Sequence, residues 1–352
     1  MSGFLILDGI GGATLGKDLT AAFQEIGASV AYSDLRKLKS RKFYELKSAF
    51  VKAINKRDNL DSFYHFPKLD EFEFELLIQQ EKPSVILVVG FFYKFLSPAF
   101  LLKIKEKYKT KIFQYDTDSC NLYSRRREFI FYIENELPVY DEIFSFSKVT
   151  TEFLKNTRNL NATFLPFGAN NLTRPADVEK SIDVLFVGSC DLRRLFLLEK
   201  IRDKVRVLGD RWTRNLELMS DDLKKAVTDQ GVWGDKLNQL LFSSRIVLNI
   251  TRSDFYGVET GINLRVFEAL GAGCFLLTDY CEELAELFVL GEEIEFFRSA
   301  SEMQEKVNYY LANPDKRDEI ARKGHEKFLK LHTWKTKAVF LRARFESYLS
   351  QQ

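Results

Sequence analysis

Short apolar runs alternate with amphipathic stretches along the chain. Phe4–Asp8 reads as a first strand, followed by a loop punctuated by Gly9, Gly11, Gly12 and Gly16. The spacing then predicts a helix over 17–26 and a strand over 28–33. The same grammar recurs as strand 84–89, helix 98–108, strand 111–115, strand 142–146 and helix 149–155. Fully apolar strands separated by helices imply parallel βαβ units. From 168 to 181 the rhythm breaks into a polar stretch containing Gly168 and Pro175, which places an interdomain linker at 169–181. The pattern then restarts with strand 182–187, helix 192–201, strand 205–208, helix 236–242, strand 246–250, helix 262–270 and strand 274–278. Helices over 301–311 and 315–331 and a last amphipathic segment over 335–349 complete it.

The expectation is an α/β protein with two Rossmann-like, doubly wound domains, 1–168 and 182–331, facing a central cleft. Ligands of such sheets bind at the carboxyl ends of the strands. A length of 352 residues suits two such cores.

Composition narrows the function. A formal charge of +2, with no recognition motif, predicts no nucleic-acid partner. Cys120, Cys190, Cys274 and Cys281 form no C-x-x-C pair and read as buried thiols in a reducing compartment. Neither they nor His65, His325 and His332 cluster at ligand spacing, so no metal site is expected. The 32 phenylalanines read as a Phe-rich core. No basic segment precedes an apolar one at the start, and the longest apolar stretch, 85–93, is of strand length. These features predict a cytoplasmic protein.

The richest chemistry lies in Thr260-Gly-Ile-Asn-Leu-Arg-Val-Phe-Glu-Ala-Leu-Gly-Ala-Gly-Cys-Phe-Leu-Leu-Thr-Asp279. Small residues at Thr260 and Gly261 would leave the amides of helix 262–270 bare, and a bare helix N-terminus suits a phosphate group. Glu268, about two turns in, could accept hydrogen bonds from a ribose diol. Its alternative is a solvated helix residue.

This segment resembles the donor-site signature of GT-B glycosyltransferases, and more closely that of the CgeB-like branch. Supporting matches run in order. Asp183-Val-Leu-Phe-Val-Gly-Ser189 with Arg193 and Arg194 resembles the phosphate-side loop, and Arg245-Ile-Val-Leu-Asn-Ile250 resembles the strand before the donor loop. Thr163-Phe-Leu-Pro-Phe-Gly168 resembles the end of the N-terminal domain, and His332-Thr-Trp334 the closing element before a helix, 332–352, that crosses back. The likeness covers roughly the second half of the chain, and the first half only in layout.

The resemblance implies sugar transfer from a nucleoside-diphosphate sugar, UDP- or GDP-linked, to a glycan, lipid-linked or protein hydroxyl, with no cofactor and no metal. It puts the donor in the C-terminal domain and the acceptor in the N-terminal one. Gly188, Ser189, Ile262, Asn263, Arg265 and the residues at 260 and 261 would line the donor site, with Glu268 on the ribose. Arg193 or Arg194 would offset the charge of the departing diphosphate. The alternative for both arginines is a solvated helix start. Gly12 would approach the donor from the first glycine loop, or that loop is a tight turn without ligand contact. Trp212 and Trp233 fall near the nucleotide base in this reading, core packing being their more usual fate. Many retaining members carry a second Glu separated from the first by seven residues; that position is Thr260 here, and Glu259 stands one place earlier. A catalytically silent scaffold and a GT-B-fold epimerase or phosphorylase are the alternatives.

Two further features stand outside that signature. Asp116-Thr-Asp118 follows a strand, so Asp116 is a candidate general base or a turn aspartate. The segment 36–57 holds Arg36, Lys37, Lys39, Arg41, Lys42, Lys47, Lys52, Lys56 and Arg57 against one acid, Glu45. Phe43, Leu46, Phe50 and Ile54 sit at helical spacing within it. Two readings follow: a helix packed on the N-terminal sheet with a solvated basic face, or peripheral attraction to the anionic inner face of a membrane or to an anionic acceptor.

Overall fold

The computed structural model describes residues 3–11, 14–57, 63–260 and 262–351. The chain forms two compact units. The first comprises 1–11, 15–165 and 337–352, and the second 12–14 and 166–336.

The first unit runs β1 (Phe4–Asp8), α1 (Leu15–Glu25), β2 (Val30–Asp34), α2 (Tyr44–Arg57), α3 (Glu71–Glu81), β3 (Val85–Val89), α4 (Pro98–Tyr108), β4 (Lys111–Asp116), α5 (Arg126–Phe131), β5 (Glu142–Ser145), α6 (Lys148–Arg158) and β6 (Ala162–Phe164). All pairings are parallel, in the order β2-β1-β3-β4-β5-β6. β1 and β3 are buried on both faces, which is why they read as unbroken apolar runs. Side chains cap the helices where the sequence supplies them: Asp70 before α3, Ser97 before α4 and Ser147 before α6 accept from first-turn amides.

The second unit runs β7 (Ile182–Val187), α7 (Leu192–Leu198), β8 (Val205–Leu208), α8 (Asp221–Ala226), β9 (Val227–Thr228), α9 (Gly234–Phe242), β10 (Ser244–Asn249), α10 (Ser253–Tyr256), α11 (Leu264–Gly271), β11 (Leu276–Asp279), α12 (Glu282–Leu287), β12 (Glu295–Phe297), α13 (Ala300–Ala312) and α14 (Pro314–Leu331). Its sheet is again parallel, ordered β12-β11-β10-β7-β8-β9. The stretch 169–181 lies inside this unit: Ala169 bridges to Thr333, and Leu172 donates its amide to Gly271 O.

α15 (Trp334–Leu349) returns the chain to the first unit. Phe345 stands with its ring centroid 5.4 Å from Phe4, 6.0 Å from Phe23 and 4.6 Å from Phe113. Arg344 forks onto the carboxylate of Glu142, a buried residue of β5. Among the described residues no helix is long and apolar enough to cross a membrane.

α2 departs from the packed-helix expectation. Of its described side chains only Ser48 is buried, with Tyr44, Val51 and Asn55 half-buried on the same face. The apolar residues Phe43, Leu46, Phe50 and Ile54 point into solvent.

Candidate functional site at the carboxyl edge of the second sheet

In the second sheet the strand order reverses between β7 and β10, so the loops after these two strands diverge and leave a crevice at their carboxyl ends. The loop after β7 is Gly188-Ser189-Cys190-Asp191. Gly209, at φ +149, approaches so closely that a Cβ there would stand 2.0 Å from Gly188 O. The Trp212 indole donates to the same carbonyl at 2.9 Å. Trp212 is thus a buried brace for this loop, and its ring is not available to a base. Trp233, half exposed just before α9, is the one that presents a ring to solvent.

Asp191 caps α7, accepting from Arg194 N, and also accepts from Ser253 N at 3.2 Å. Arg252 Nη2 donates to Ser189 Oγ at 3.0 Å. The loops after β7 and β10 are therefore stitched together. Arg252 was not among the signature residues; its place in the polar loop after strand 246–250 was the available signal.

The two adjacent arginines have different roles. Arg194 is buried. Its Nε and Nη2 donate to Ile250 O at 2.9 and 2.7 Å, and its Nη1 to Ser189 O at 2.8 Å. Burial pulls its pKa down to about 10, still cationic at neutral pH. Three donors spent on backbone carbonyls make it a structural clasp, and the solvated-helix-start alternative is set aside for it. Arg193 is partly exposed. Its Nη1 donates to Thr251 O at 2.8 Å and to Asp279 Oδ2 at 2.7 Å, and its guanidinium lies 3.6 Å from the Tyr256 ring centroid. Asp279, at the end of β11, also accepts from Thr251 N and Thr251 Oγ1, both at 2.9 Å.

The amides expected to be bare are partly engaged. α11 starts at Leu264, two residues later than the sequence spacing predicts, because Asn263 is its N-cap and its side chain accepts from Arg265 N at 3.0 Å. Val266 N bonds to Asn263 O. Asn263 Nδ2 donates to Asn249 Oδ1 at 2.9 Å, and Asn249 Nδ2 to Thr278 Oγ1 at 2.9 Å. The start of α11 is thereby tied to the ends of β10 and β11. Gly261 and Gly12 lie outside the described residues. Ile262 is buried, and Thr260, also buried, donates to Glu283 Oε1 at 3.0 Å. Glu259 is exposed at φ +53, a left-handed conformation uncommon for glutamate. One turn into α11, Arg265 Nη1 stands 2.7 Å from Glu268 Oε2, and both side chains are half-buried. Glu268 is ion-paired, which corrects the reading of it as a solvated residue.

Asp116 lies in the first unit, at the end of β4. It is buried, and its oxygens accept from Asp118 N, Ser119 N, Ser119 Oγ and Ser145 Oγ at 3.2, 2.9, 2.6 and 2.7 Å. Burial raises its pKa. Four donors on two oxygens describe a turn aspartate. The glycine loop after β1 is likewise tightly packed, a Cβ on Gly9 standing 2.8 Å from the Phe95 ring. A separate cavity of about 260 Å³ in this unit lies under the inner face of α2 and is lined by Lys52, His65, Lys94, Arg125 and Glu128. Cys190 and Cys274 are buried and Cys281 half-buried, and burial pushes their thiols up to about 11, 12 and 12. Among the described residues no group of three or more His, Cys, Asp or Glu is placed to hold a metal ion.

Residues 193–343 match a family model described as glycosyl transferase-like. No curated protein sequence matches the chain. Solved structures similar over its whole length include the following three. One is a glycosyltransferase from Rickettsia africae, with TM-score 0.63 and 11% identity over 100% of this chain and 99% of that one. The second is sucrose-phosphate synthase from Thermosynechococcus elongatus, with TM-score 0.66 and 12% identity over 100% of both. The third is Anabaena HepE in complex with UDP-glucose, with TM-score 0.63 and 12% identity over 100% of both. At such identities the likeness shows the fold: two parallel six-stranded α/β sheets of the GT-B class, as expected from sequence.

Proposed function

We propose that the protein transfers a sugar from a nucleoside-diphosphate sugar, UDP- or GDP-linked, to a hydroxyl acceptor. The observation that carries this reading is the stitched crevice at the switch point of the second sheet. There the Gly188–Ser189 backbone, Arg193, Arg252 and the capped start of α11 converge. The family match over 193–343 and the UDP-glucose complex of HepE support the same reading.

In the reaction, the bond from the anomeric carbon to the diphosphate oxygen breaks and its electron pair leaves with the nucleoside diphosphate. A bond forms to the acceptor oxygen, whose proton passes to a carboxylate. Charge builds on the leaving diphosphate, and Arg193 and Arg252 are the cations placed to offset it. Glu268 takes the ribose hydroxyls, exchanging part of its pairing with Arg265. Trp233 offers the exposed ring for the base. Since Asp116 is enclosed, Glu259 is the exposed carboxylate for the sugar side. The first unit takes the acceptor: a glycan, lipid-linked or protein hydroxyl. The excess of Lys52, Lys94 and Arg125 over Glu128 around its cavity suits an acceptor carrying an anionic group.

The test is a thermal-shift series with UDP, GDP, CDP, dTDP and ADP, with and without EDTA, on wild type and Glu268→Ala. A ligand bound to the native state raises the melting temperature. One diphosphate is expected to stabilise the wild type regardless of EDTA and to fail on the variant. No shift at millimolar concentration would overturn the reading. A shift without sugar transfer or donor hydrolysis would leave a binding subunit in its place.

A further inference from the structure

Helix α2 is built inside out. It rests on the first unit through Tyr44, Ser48, Val51 and Asn55, a face of mostly polar and small groups. Its large apolar side chains lie on another face, Leu46 being 73% exposed, Phe50 69% and Ile54 47%, and Phe43, in the turn just before the helix, is 72% exposed. An apolar stripe is normally the face a helix buries, so four such residues turned to water leave a surface wanting a cover. At 3.6 residues per turn, Lys47 falls on one edge of this stripe and is exposed, and Lys42, also exposed, lies in the turn just before the helix. Phe43, at the head of the stripe, sits at φ 60, a left-handed conformation that is an outlier for a bulky aromatic.

We infer that this face of α2 docks on an anionic lipid bilayer. The charge pattern selects the occupant. The segment 36–57 carries nine basic residues and one acid. Arg36, Lys39 and Arg41 pair with Asp34, Glu73 and Glu71, while Lys37, Lys42 and Lys47 are exposed. Two copies of this chain meeting through this segment would bring like charges together, whereas an anionic bilayer complements them. The layout, an apolar stripe with Lys47 at its edge and Lys42 at its head, suits a helix lying in the plane of the headgroups, with the ring and aliphatic groups below and the ammonium groups at phosphate level. Each lysine near an anionic surface adds attraction that salt screens. The inference is independent of the nucleotide site, since every residue it uses belongs to the first unit.

The experiment is co-sedimentation of the full chain with phosphatidylcholine vesicles and with vesicles containing 30% phosphatidylglycerol, at low and high salt, for wild type and for Leu46→Ser/Phe50→Ser and Lys42→Glu/Lys47→Glu. All four substituted side chains are exposed, so folding is expected to survive; circular dichroism and the nucleotide-induced thermal shift check this. Wild type is expected to bind the anionic vesicles at least tenfold more tightly than the neutral ones, to weaken at high salt, and to lose roughly tenfold or more with either pair of substitutions. Absence of binding to anionic vesicles, or binding that both pairs leave unchanged, would overturn the inference. So would a concentration-dependent dimer that Leu46→Ser/Phe50→Ser dissolves, because that would make a second copy the occupant.

Discussion

Arg193 and Asp279 are joined by a 2.7 Å ion pair that ties the start of α7 to the end of β11. Asp279 is buried and takes four donors, while Arg193 is partly exposed against Tyr256. The carboxylate is the enclosed member of the pair and the guanidinium the member open to solvent, the side from which an anionic ligand would reach it. Arg193→Ala should weaken UDP or GDP binding about 10- to 100-fold, the worth of one or two charge-assisted hydrogen bonds, and should also lower stability by about 1–3 kcal/mol, since it leaves the buried Asp279 carboxylate without its cation. Calorimetric titration checks it; unchanged affinity would remove Arg193 from the site.

Arg194 should affect stability and not binding. Its donors satisfy Ile250 O and Ser189 O inside the protein. Arg194→Ala would leave those carbonyls without partners and cost about 3 kcal/mol of stability. Denaturant unfolding measures that loss, and whatever protein remains folded should still bind nucleotide. A folded, stable Arg194→Ala protein with no nucleotide affinity would contradict the division of labour.

The contrast between these two arginines marks where sequence reading stops. Either residue could be the phosphate cation from spacing alone, since both follow the same strand and loop. Only the backbone path of Gly188–Ser189 and Ile250 shows which one is enclosed. The strands were legible because double-sided burial writes itself as unbroken apolar runs, as in β3. The start of α11 was misplaced by two residues because Asn263 was read as a helical position, although asparagine is a strong N-cap. For α2 the spacing of apolar residues identified a helix but not which face would pack. The usual rule that the apolar face goes inward gave the wrong orientation, and that reversal is visible only in the exposures of Leu46 and Phe50.

Glu259 holds a left-handed backbone with no side-chain need visible in the fold. Strain of this kind costs about 1–3 kcal/mol and gathers at functional positions. Glu259→Gly should therefore stabilise the protein by about 1 kcal/mol, since glycine adopts this conformation freely. Transfer or donor hydrolysis should fall at the same time. A variant that gains stability and keeps full activity would assign Glu259 to the loop alone.

Glu136 offers a pH test within the first unit. It is buried and accepts from Phe92 N, Tyr93 N and the Tyr140 hydroxyl at 2.9, 2.6 and 2.8 Å. Burial outweighs these bonds and pushes its pKa up to about 7. A folded-state pKa above the unfolded value of about 4.3 means the native protein binds more protons between the two values. The stability this group contributes is thus full below about pH 4 and is lost as pH rises through about 7, by some 3 kcal/mol. Glu136→Gln cannot ionise, so the stability difference between wild type and variant should shrink, or change sign, from pH 5 to pH 8. Urea unfolding of both proteins across that range measures it. A difference that does not vary with pH would mean that Glu136 stays ionised throughout, with its donors, Gln114 Nε2 among them, and the nearby Lys94 holding its charge.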